Sequence, residues 1–425
     1  MSEPNVRMMQ SSLFPILKNT SATIIVRGMS GLVRIVLLLI IARKFGPVQF
    51  GQLSLALSFT EIFKVVADLG IDTIAIRRFA GGSEEKEKFL NNIVGLKVLL
   101  STVSYLAAPV FFILIYRNVG GINFLFVTAI SIYTTLLVNA FVSYFQAHLT
   151  MTKVIISNAI GSGVFVVLTL GGIVLNLPLV MIILAMPLAE LITLILIAQL
   201  YQKHHQLNIE FDKAMAQTIL RESLYVGISS IIVVTYLRLD TLMIGTYVGG
   251  KGVGEYSVAY RIVEPFLLLF SSLSLSLYAS LSGSWNVESG SVNRRTIQRI
   301  VVPAGIFGLA AASILSFVVP KFITLISAEY VHAGEVLAVL GWSVVFKAIN
   351  PQLTAILNSL GKFRIITIIA ANNMLLSIIL NMIFIPMYGI LGAALTVVVV
   401  EGVNTLVQGL CISYTMKTVL KGSKR

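Results

Sequence analysis

Apolar runs of about twenty residues recur along this chain from one end to the other, separated by short polar connections. Such a run has the length that a helix needs to cross a bilayer, and lipid admits only helices or closed barrels. The pattern therefore predicts an all-α polytopic membrane protein. About twelve transmembrane helices are expected, at residues 16–42, 48–68, 91–116, 122–145, 154–175, 178–201, 221–247, 254–281, 300–325, 334–357, 365–386 and 389–416.

Two arginines interrupt the first apolar run. Arg27 and Arg34 lie seven residues apart, nearly two helical turns, so their side chains share one face. An arginine at the centre of an inserting helix costs roughly 2.5–3.5 kcal/mol. The pair therefore predicts an anionic partner or a water-filled cavity. The run is also too long and too charged for a cleaved signal peptide, so we expect it to remain in the protein.

The composition agrees with a membrane protein, since 57% of residues are hydrophobic and 12% are charged. The net charge of +13 could suggest a nucleic-acid partner. However, the basic residues concentrate on one set of connections and tails, as the positive-inside rule describes. The few on the opposite side are Arg43, Lys44, Arg117, Lys251 and Lys321. We therefore expect no nucleic acid and place both termini in the cytoplasm. The single cysteine, Cys411, excludes a disulfide within the chain.

The chain contains a weak internal repeat. Residues 50–56 and 253–259 share the pattern Gly-x-x-Ser-x-Ala, and the same shift aligns Glu61 with Glu264. A shift one residue longer aligns Arg34 with Arg238.

The repeat predicts two six-helix lobes, residues 1–210 and 211–425. Because a shift of six spans preserves orientation, the lobes should be related by a pseudo-two-fold axis along the membrane normal. Transporters use this arrangement.

The ionisable residues within the spans form two groups of candidates. The cations that could bind an anionic substrate are Arg27, Arg34, Arg238 and Arg261. The candidate charge partners or ion-coupling residues are Glu61, Lys64, Asp240 and Glu264. Glu61 with Lys64, and Arg261 with Glu264, have the i,i+3 spacing of local ion pairs.

Two structural interpretations of these charged residues are alternatives to a binding role. The local pairs could be purely structural, and Lys97 and Lys347 could extend to the nearer interface. Asp68 and Asp72, near a helix end, are expected to be solvated. Even so, cations outnumber carboxylates in the spans. A surplus of this kind favours an anionic ligand, and arginine grips phosphate oxygens in pairs.

Catalytic and cofactor motifs do not stand out. The sequence contains neither a phosphate-binding Gly-x-x-x-x-Gly-Lys-Ser/Thr loop nor an evident Gly-x-Ser-x-Gly nucleophile motif. We expect no catalytic residue, no metal ligand and no cofactor, and therefore a protein that is not an enzyme.

Several segments resemble a known family. These are residues 42–54, the Asp-Leu-Gly-Ile-Asp run at 68–72 with Arg77 and Arg78 after it, and residues 240–245 with 253–262. They are similar to signatures of bacterial polysaccharide or O-antigen (Wzx-type) flippases of the multidrug/oligosaccharidyl-lipid/polysaccharide exporter (MOP) superfamily.

The resemblance implies two lobes around a central cavity and alternating access. It implies an undecaprenyl-diphosphate-linked oligosaccharide as substrate, in contact with membrane lipid in the bacterial inner membrane. It leaves the sugar, the coupling ion, the oligomeric state and any glycan polymerase or chain-length partners open. An ion-coupled multidrug exporter of the same superfamily is the first alternative, and a membrane-embedded glycan polymerase or ligase is the second.

Overall fold

A computed structural model describes residues 4–81, 86–203, 205, 206, 208, 211–284 and 294–422. The description omits the side chains before residue 31, at 268, 271–273, 275–299 and 324–325, and after residue 415. Helices make up nearly all of these ranges, and no strand occurs within them. The expected all-α class is confirmed.

Fourteen α-helices follow one another in the described ranges. They are α1 (Pro4–Asp68), α2 (Ile71–Ala80), α3 (Lys86–Tyr116), α4 (Ile122–Ala147), α5 (Met151–Val174), α6 (Leu179–Ile183), α7 (Ala185–Gln202), α8 (Lys213–Tyr247), α9 (Gly250–Ser284), α10 (Arg294–Ser313), α11 (Val331–Leu340), α12 (Ser343–Ser359), α13 (Phe363–Tyr388) and α14 (Ile390–Gly422).

Helix α1 contains the first two predicted spans and breaks between them. Gly46 has φ 73° and ψ 174°, a backbone conformation that residues with a Cβ atom rarely adopt. The residue that follows is Pro47, which cannot donate a backbone hydrogen bond. The Gly-Pro pair therefore ends one span and starts the next.

The polytopic character also holds. Among the described residues, eight helices are long and apolar enough to span a membrane. A ninth is possible where two helical segments, Ala328–Leu340 and Ser343–Ser359, meet at a bend of 49°. Before this bend the chain passes through a π-helical turn, Ile314–Val318, and a 3-10 segment, Val319–Leu325, which contains Pro320.

The chain divides into two compact units. The first consists of residues 1–38, 59–114 and 122–231, and the second of 39–58, 115–121 and 232–425. Within the first, α2, α3, α4 and α7 contribute to one apolar core that includes Phe79, Leu90 and Phe141. The second has a core at Leu357 and Ile412. The lobe boundary at residue 210 stays a prediction.

Within the second unit, the two repeated glycine motifs pack closely. A Cβ on Gly51 would lie 1.8 Å from the carbonyl oxygen of Gly250, and one on Gly254 would lie 2.0 Å from that of Pro47. Since neither distance leaves space for a methyl group, only glycine permits this approach of α1 to α9. The residues that reveal the repeat are therefore packing residues.

Candidate anion-binding and charged sites

A cavity of about 310 Å³ lies within the first unit. Helices α1, α5 and α7 line it, because Arg34 projects from α1, Asn158 and Ser162 from α5, and Glu190 and Thr193 from α7. Among the described residues, Arg34 forms no ion pair. Its guanidinium therefore lines a cavity of mixed polarity without an ion-pair partner, and can receive an anion there.

Glu190 also faces this cavity but is already engaged. Its Oε1 lies 3.7 Å from Lys64 Nζ. Its Oε2 accepts hydrogen bonds from the hydroxyls of Thr134 and Thr135, the latter at 3.1 Å. One carboxylate thus joins α1, α4 and α7, and it partly neutralises Lys64 while Arg34 keeps its full charge.

Lys97 lies deeper in the first unit and does not extend to an interface. Its side chain is 0% exposed. Its ammonium donates to Asp68 Oδ1 at 2.9 Å and also to Asp72 Oδ1. The expectations that Lys97 extends to water and that the two aspartates are merely solvated are therefore wrong. The contact between Lys97 and the two aspartates could not be seen in the sequence, because it forms only when α1, α2 and α3 pack together.

Asp72 lies on the short helix α2, outside the spans. Burial raises the pKa of Asp72 from 3.8 to about 6, the neighbouring Asp68 adds to the rise, and Lys97 opposes it. The hydroxyl of Ser143, on α4, donates to the same carboxylate at 3.4 Å. This cluster is a buried structural junction with one carboxylate more than its lysine can neutralise.

Two buried carboxylates of the second unit, Asp240 and Glu401, are held by neutral donors. Asp240 is buried, and its two oxygens accept from Asn381 Nδ2 at 2.8 Å and from Tyr256 hydroxyl at 3.3 Å. Glu401 accepts from Asn350 Nδ2 at 2.7 Å and from Tyr236 hydroxyl at 3.3 Å. Hydrogen bonds of this kind stabilise a buried charge without a direct cation.

Lys347 accompanies these carboxylates without contacting them. Its ammonium lies 5.1 Å from the centre of the Tyr260 ring. Within the described part of the chain it forms no ion pair. A cation–π contact of this kind contributes roughly 0.5–2 kcal/mol. Glu401 and Asp240 balance the charge of Lys347 only at longer range, so the ammonium can still attract an anionic ligand.

The remaining candidates occupy varied positions. Arg261 Nη1 donates to Glu264 Oε2 at 2.7 Å, as their spacing permits. Glu61 and Arg238 are half-buried on α1 and α8. The side chain of Arg27 lies outside the described residues. Their binding and coupling roles stay predictions.

The sequence-based candidates omit several residues that the structure brings together with them. Glu190, Lys347 and Glu401 line cavities, and Asn350 and Asn381 hold the carboxylates. Glu190 and Glu401 occupy similar depths in the sixth and twelfth predicted spans, which was a usable signal. Asn350 also stood out as a polar residue in a span that could contact a sugar, but an amide in an apolar run does not reveal that its partner is a carboxylate. Among the described residues, no cluster of histidine, cysteine or acidic side chains could hold a metal ion.

Comparison with protein families gives two matches. The family described as "Polysaccharide biosynthesis protein" matches residues 16–278, and MatE matches residues 226–383. Two relatives come from Haloferax volcanii. "Probable flippase AglR" is 27% identical over 201 residues, 45% of this chain and 41% of the relative. "Probable low-salt glycan biosynthesis flippase Agl15" is 24% identical over 200 residues, with the same coverage. The chain thus matches about two fifths of the length of these relatives.

Solved structures show the same fold. The lipid II flippase MurJ in an inward closed conformation has a TM-score of 0.77 at 16% identity, covering 94% of this chain and 90% of that one. An inward-facing multidrug resistance MATE family transporter of the MOP superfamily has a TM-score of 0.75 at 16% identity, covering 92% and 96%. The family match covers more than half of the sequence and agrees with the resemblance of its motifs, so the chain belongs to the polysaccharide biosynthesis protein family and has the fold of MOP-superfamily transporters.

Proposed function

We propose that this protein flips a lipid-linked oligosaccharide across a membrane by alternating access. The substrate is a repeat unit joined to undecaprenyl through a diphosphate, and the membrane is the bacterial inner membrane with both termini in the cytoplasm. Family membership and relatives named as flippases support the transport step. O-antigen synthesis is the pathway that the motif resemblance suggests.

The observation that carries the proposal is the position of Arg34. Its guanidinium lines a cavity of mixed polarity and, among the described residues, lacks an ion-pair partner. A diphosphate that leaves water for the membrane loses much of its hydration, and a preorganised guanidinium replaces part of it with short charge-assisted hydrogen bonds. Asn158 and Ser162 add polar groups that suit a phosphate oxygen or a sugar hydroxyl.

Lys64 and Glu190 would adjust the charge of this cavity. When no substrate is bound, Glu190 partly balances Lys64 across 3.7 Å. A bound phosphate would compete for the same ammonium, so the ion pair would loosen as substrate enters. In this proposal Arg34 provides direct binding, whereas Lys64 responds to the charge of the ligand. Arg27, Arg238 and Arg261 remain further candidates for phosphate contacts.

Asp240 is the candidate for ion coupling. Its buried carboxylate lies beside Asn381, whose Oδ1 is buried and accepts no hydrogen bond among the described residues. A carboxylate and an unsatisfied amide oxygen together suit a proton or Na⁺. Exchange of that cation would change the charge of the second unit during the cycle. Glu61 and Glu264 are weaker candidates, and Glu264 is already paired with Arg261.

The function is tested by complementation in a strain that lacks its own flippase. We expect wild-type protein to restore surface glycan and Arg34→Ala to lose most of this activity at equal protein level. Arg43→Ala is the matched control, because Arg43 is an exposed arginine on the same helix. Full activity of Arg34→Ala would contradict a direct role for that residue. Failure of the wild-type protein with every lipid-linked glycan supplied would contradict the flippase function.

Multidrug export is the second candidate function. The MatE match to residues 226–383 favours it, and so do Asp240 and Glu401, which could attract a cationic compound. Expression in a drug-sensitive strain separates the two. Resistance to cationic drugs that depends on Asp240, without rescue of glycan export, would favour the exporter. A glycan polymerase or ligase has less support, since the family and the similar structures are those of transporters.

A further inference from the structure

The second unit contains a cavity of about 800 Å³, much larger than the cavity at Arg34. Its walls are mostly apolar in area and come from five helices. They include Val233 and Leu237 of α8, Leu267 of α9, Pro351 and Ala355 of α12, and Phe363 of α13. A cavity of this size whose exposed wall area is mostly apolar is typical of a small-molecule site.

The polar groups of this cavity include Lys347, Tyr260, Asn350 and Glu401. Glu401 already accepts hydrogen bonds from Asn350 and Tyr236, so it does not need Lys347 as a partner. Lys347, in contrast, contacts Tyr260 and interacts with Glu401 and Asp240 at longer range, without an ion pair among the described residues. The cavity therefore presents apolar walls together with one ammonium that lacks a contacting carboxylate among the described residues. This combination complements an apolar chain that ends in an anionic group.

We propose that this cavity binds the isoprenoid end of the substrate at a different step from the Arg34 cavity, with the first phosphate at Lys347 and the adjoining isoprene units against the apolar walls. The inference rests on the proposed function and specifies the ligand of a second site. An isoprenoid diphosphate is favoured because it joins a branched apolar chain directly to a phosphate. The sugar is not required for binding here.

Glu401 modifies this site without belonging to the phosphate contact. Its carboxylate lines the same cavity and repels a phosphate. Its neutral donors keep it in place, so replacement by glutamine removes the charge while nearly preserving the shape. Glu401→Gln should therefore bind an isoprenoid phosphate at least as tightly as the wild type does.

The experiment measures binding of farnesyl diphosphate to the purified full-length protein in detergent. We expect Lys347→Gln to weaken binding at least tenfold and Lys347→Arg to retain it. Lys251→Gln is the control, because Lys251 is an exposed lysine of the same unit. Leu237→Gln, which places an amide on the apolar wall, should also weaken binding. Inorganic pyrophosphate and farnesol, tested separately, should each bind at least tenfold more weakly than farnesyl diphosphate.

Equal binding of pyrophosphate or farnesol would overturn the proposal, as would unchanged binding by Lys347→Gln. If this variant does not fold, the wild type provides the test. Farnesyl diphosphate should protect Lys347 from an amine-reactive reagent, as read by mass spectrometry, and equal labelling with and without ligand would refute the site. If this binding site is refuted, the complementation test of Arg34 still stands as a test of the proposed function. Conversely, binding without complementation would refute flipping and not the site.

Discussion

The two units hold several of their carboxylates in different ways, although Arg261 and Glu264 form an ion pair in the second unit as well. In the first, carboxylates meet lysines directly, at Glu190 with Lys64 and at Asp68 and Asp72 with Lys97. In the second, Asp240 and Glu401 are held mainly by amides and tyrosine hydroxyls. A cation among the helices therefore points to a ligand when it lacks a carboxylate contact. Among the described residues, Arg34 and Lys347 both meet that condition and both line cavities.

Buried Lys97 and half-buried Lys347 give the largest expected difference between the units. Lys97→Met leaves two carboxylates facing each other without their cation, and loss of one partner of a buried pair costs roughly 3–5 kcal/mol. Lys347→Met removes a cation that forms no ion pair within the described chain, so we expect a smaller loss, about 0.5–2 kcal/mol. Thermal unfolding of both variants in detergent checks the difference. Equal destabilisation would remove the distinction between structural and ligand-directed lysines.

Asp72, in the first unit, should make the stability depend on pH. The folded pKa of Asp72 is about 6, above its ordinary value of 3.8, so folding favours the protonated form. This contribution is complete below pH about 4 and is lost as the pH rises through about 6. Its size is at most about 3 kcal/mol, since one pKa unit equals 1.36 kcal/mol.

Asp72→Asn should flatten this part of the stability profile while retaining the contact with Ser143. The measurement is the unfolding temperature between pH 4 and pH 7, compared with the wild type. A profile of Asp72→Asn that is as steep as that of the wild type would assign the pH dependence to another group. Stability that increases through this pH range would give Asp72 a lowered pKa, contrary to the effect of its burial.

The smallest expected difference is between two paired arginines. Arg261, in the second unit, and its partner Glu264 are 14% and 23% exposed, whereas Arg78 and its partner Glu222, in the first, are 32% and 44% exposed. We expect Arg78→Gln to cost about 1 kcal/mol or less and Arg261→Gln somewhat more, about 1–2 kcal/mol. Chemical denaturation resolves this difference. A larger loss of stability for Arg78→Gln than for Arg261→Gln would show that burial does not determine how much an ion pair stabilises this protein.

The sequence predicts the helices well because the bilayer imposes a simple rule of length and polarity. Each predicted span overlaps helix in the structure, and the break between the first two falls at Gly46. Ion pairs across helices could not be predicted in the same way. Lys64 has Glu61 one turn away, yet its described ion pair is with Glu190, more than a hundred residues later in the chain. Partner choice depends on helix packing, which periodicity does not specify.

The candidate site residues also divide into those that the sequence could identify and those that it could not. Arg34 was identifiable because arginine in an apolar run is costly and needs a reason. Lys347 was not, because a single lysine in a span is equally consistent with extension to the interface. The structure separates these cases, since Lys97 is enclosed by two aspartates whereas Lys347 lines a cavity. The role of a lysine in a span can therefore be assigned only when its neighbours in the structure are known.

The most direct test of the account is the flipping rate of a polyprenyl-diphosphate-linked glycan in vesicles that contain the purified protein. Replacing Arg34 by glutamine removes a charge-assisted contact of about 1.5–3 kcal/mol, which corresponds to a roughly 10- to 100-fold slower rate. Arg43→Gln, on the same helix but exposed, should flip the glycan at the wild-type rate. Equal rates for Arg34→Gln and Arg43→Gln would contradict the claim that an arginine without an ion pair in the cavity binds the diphosphate.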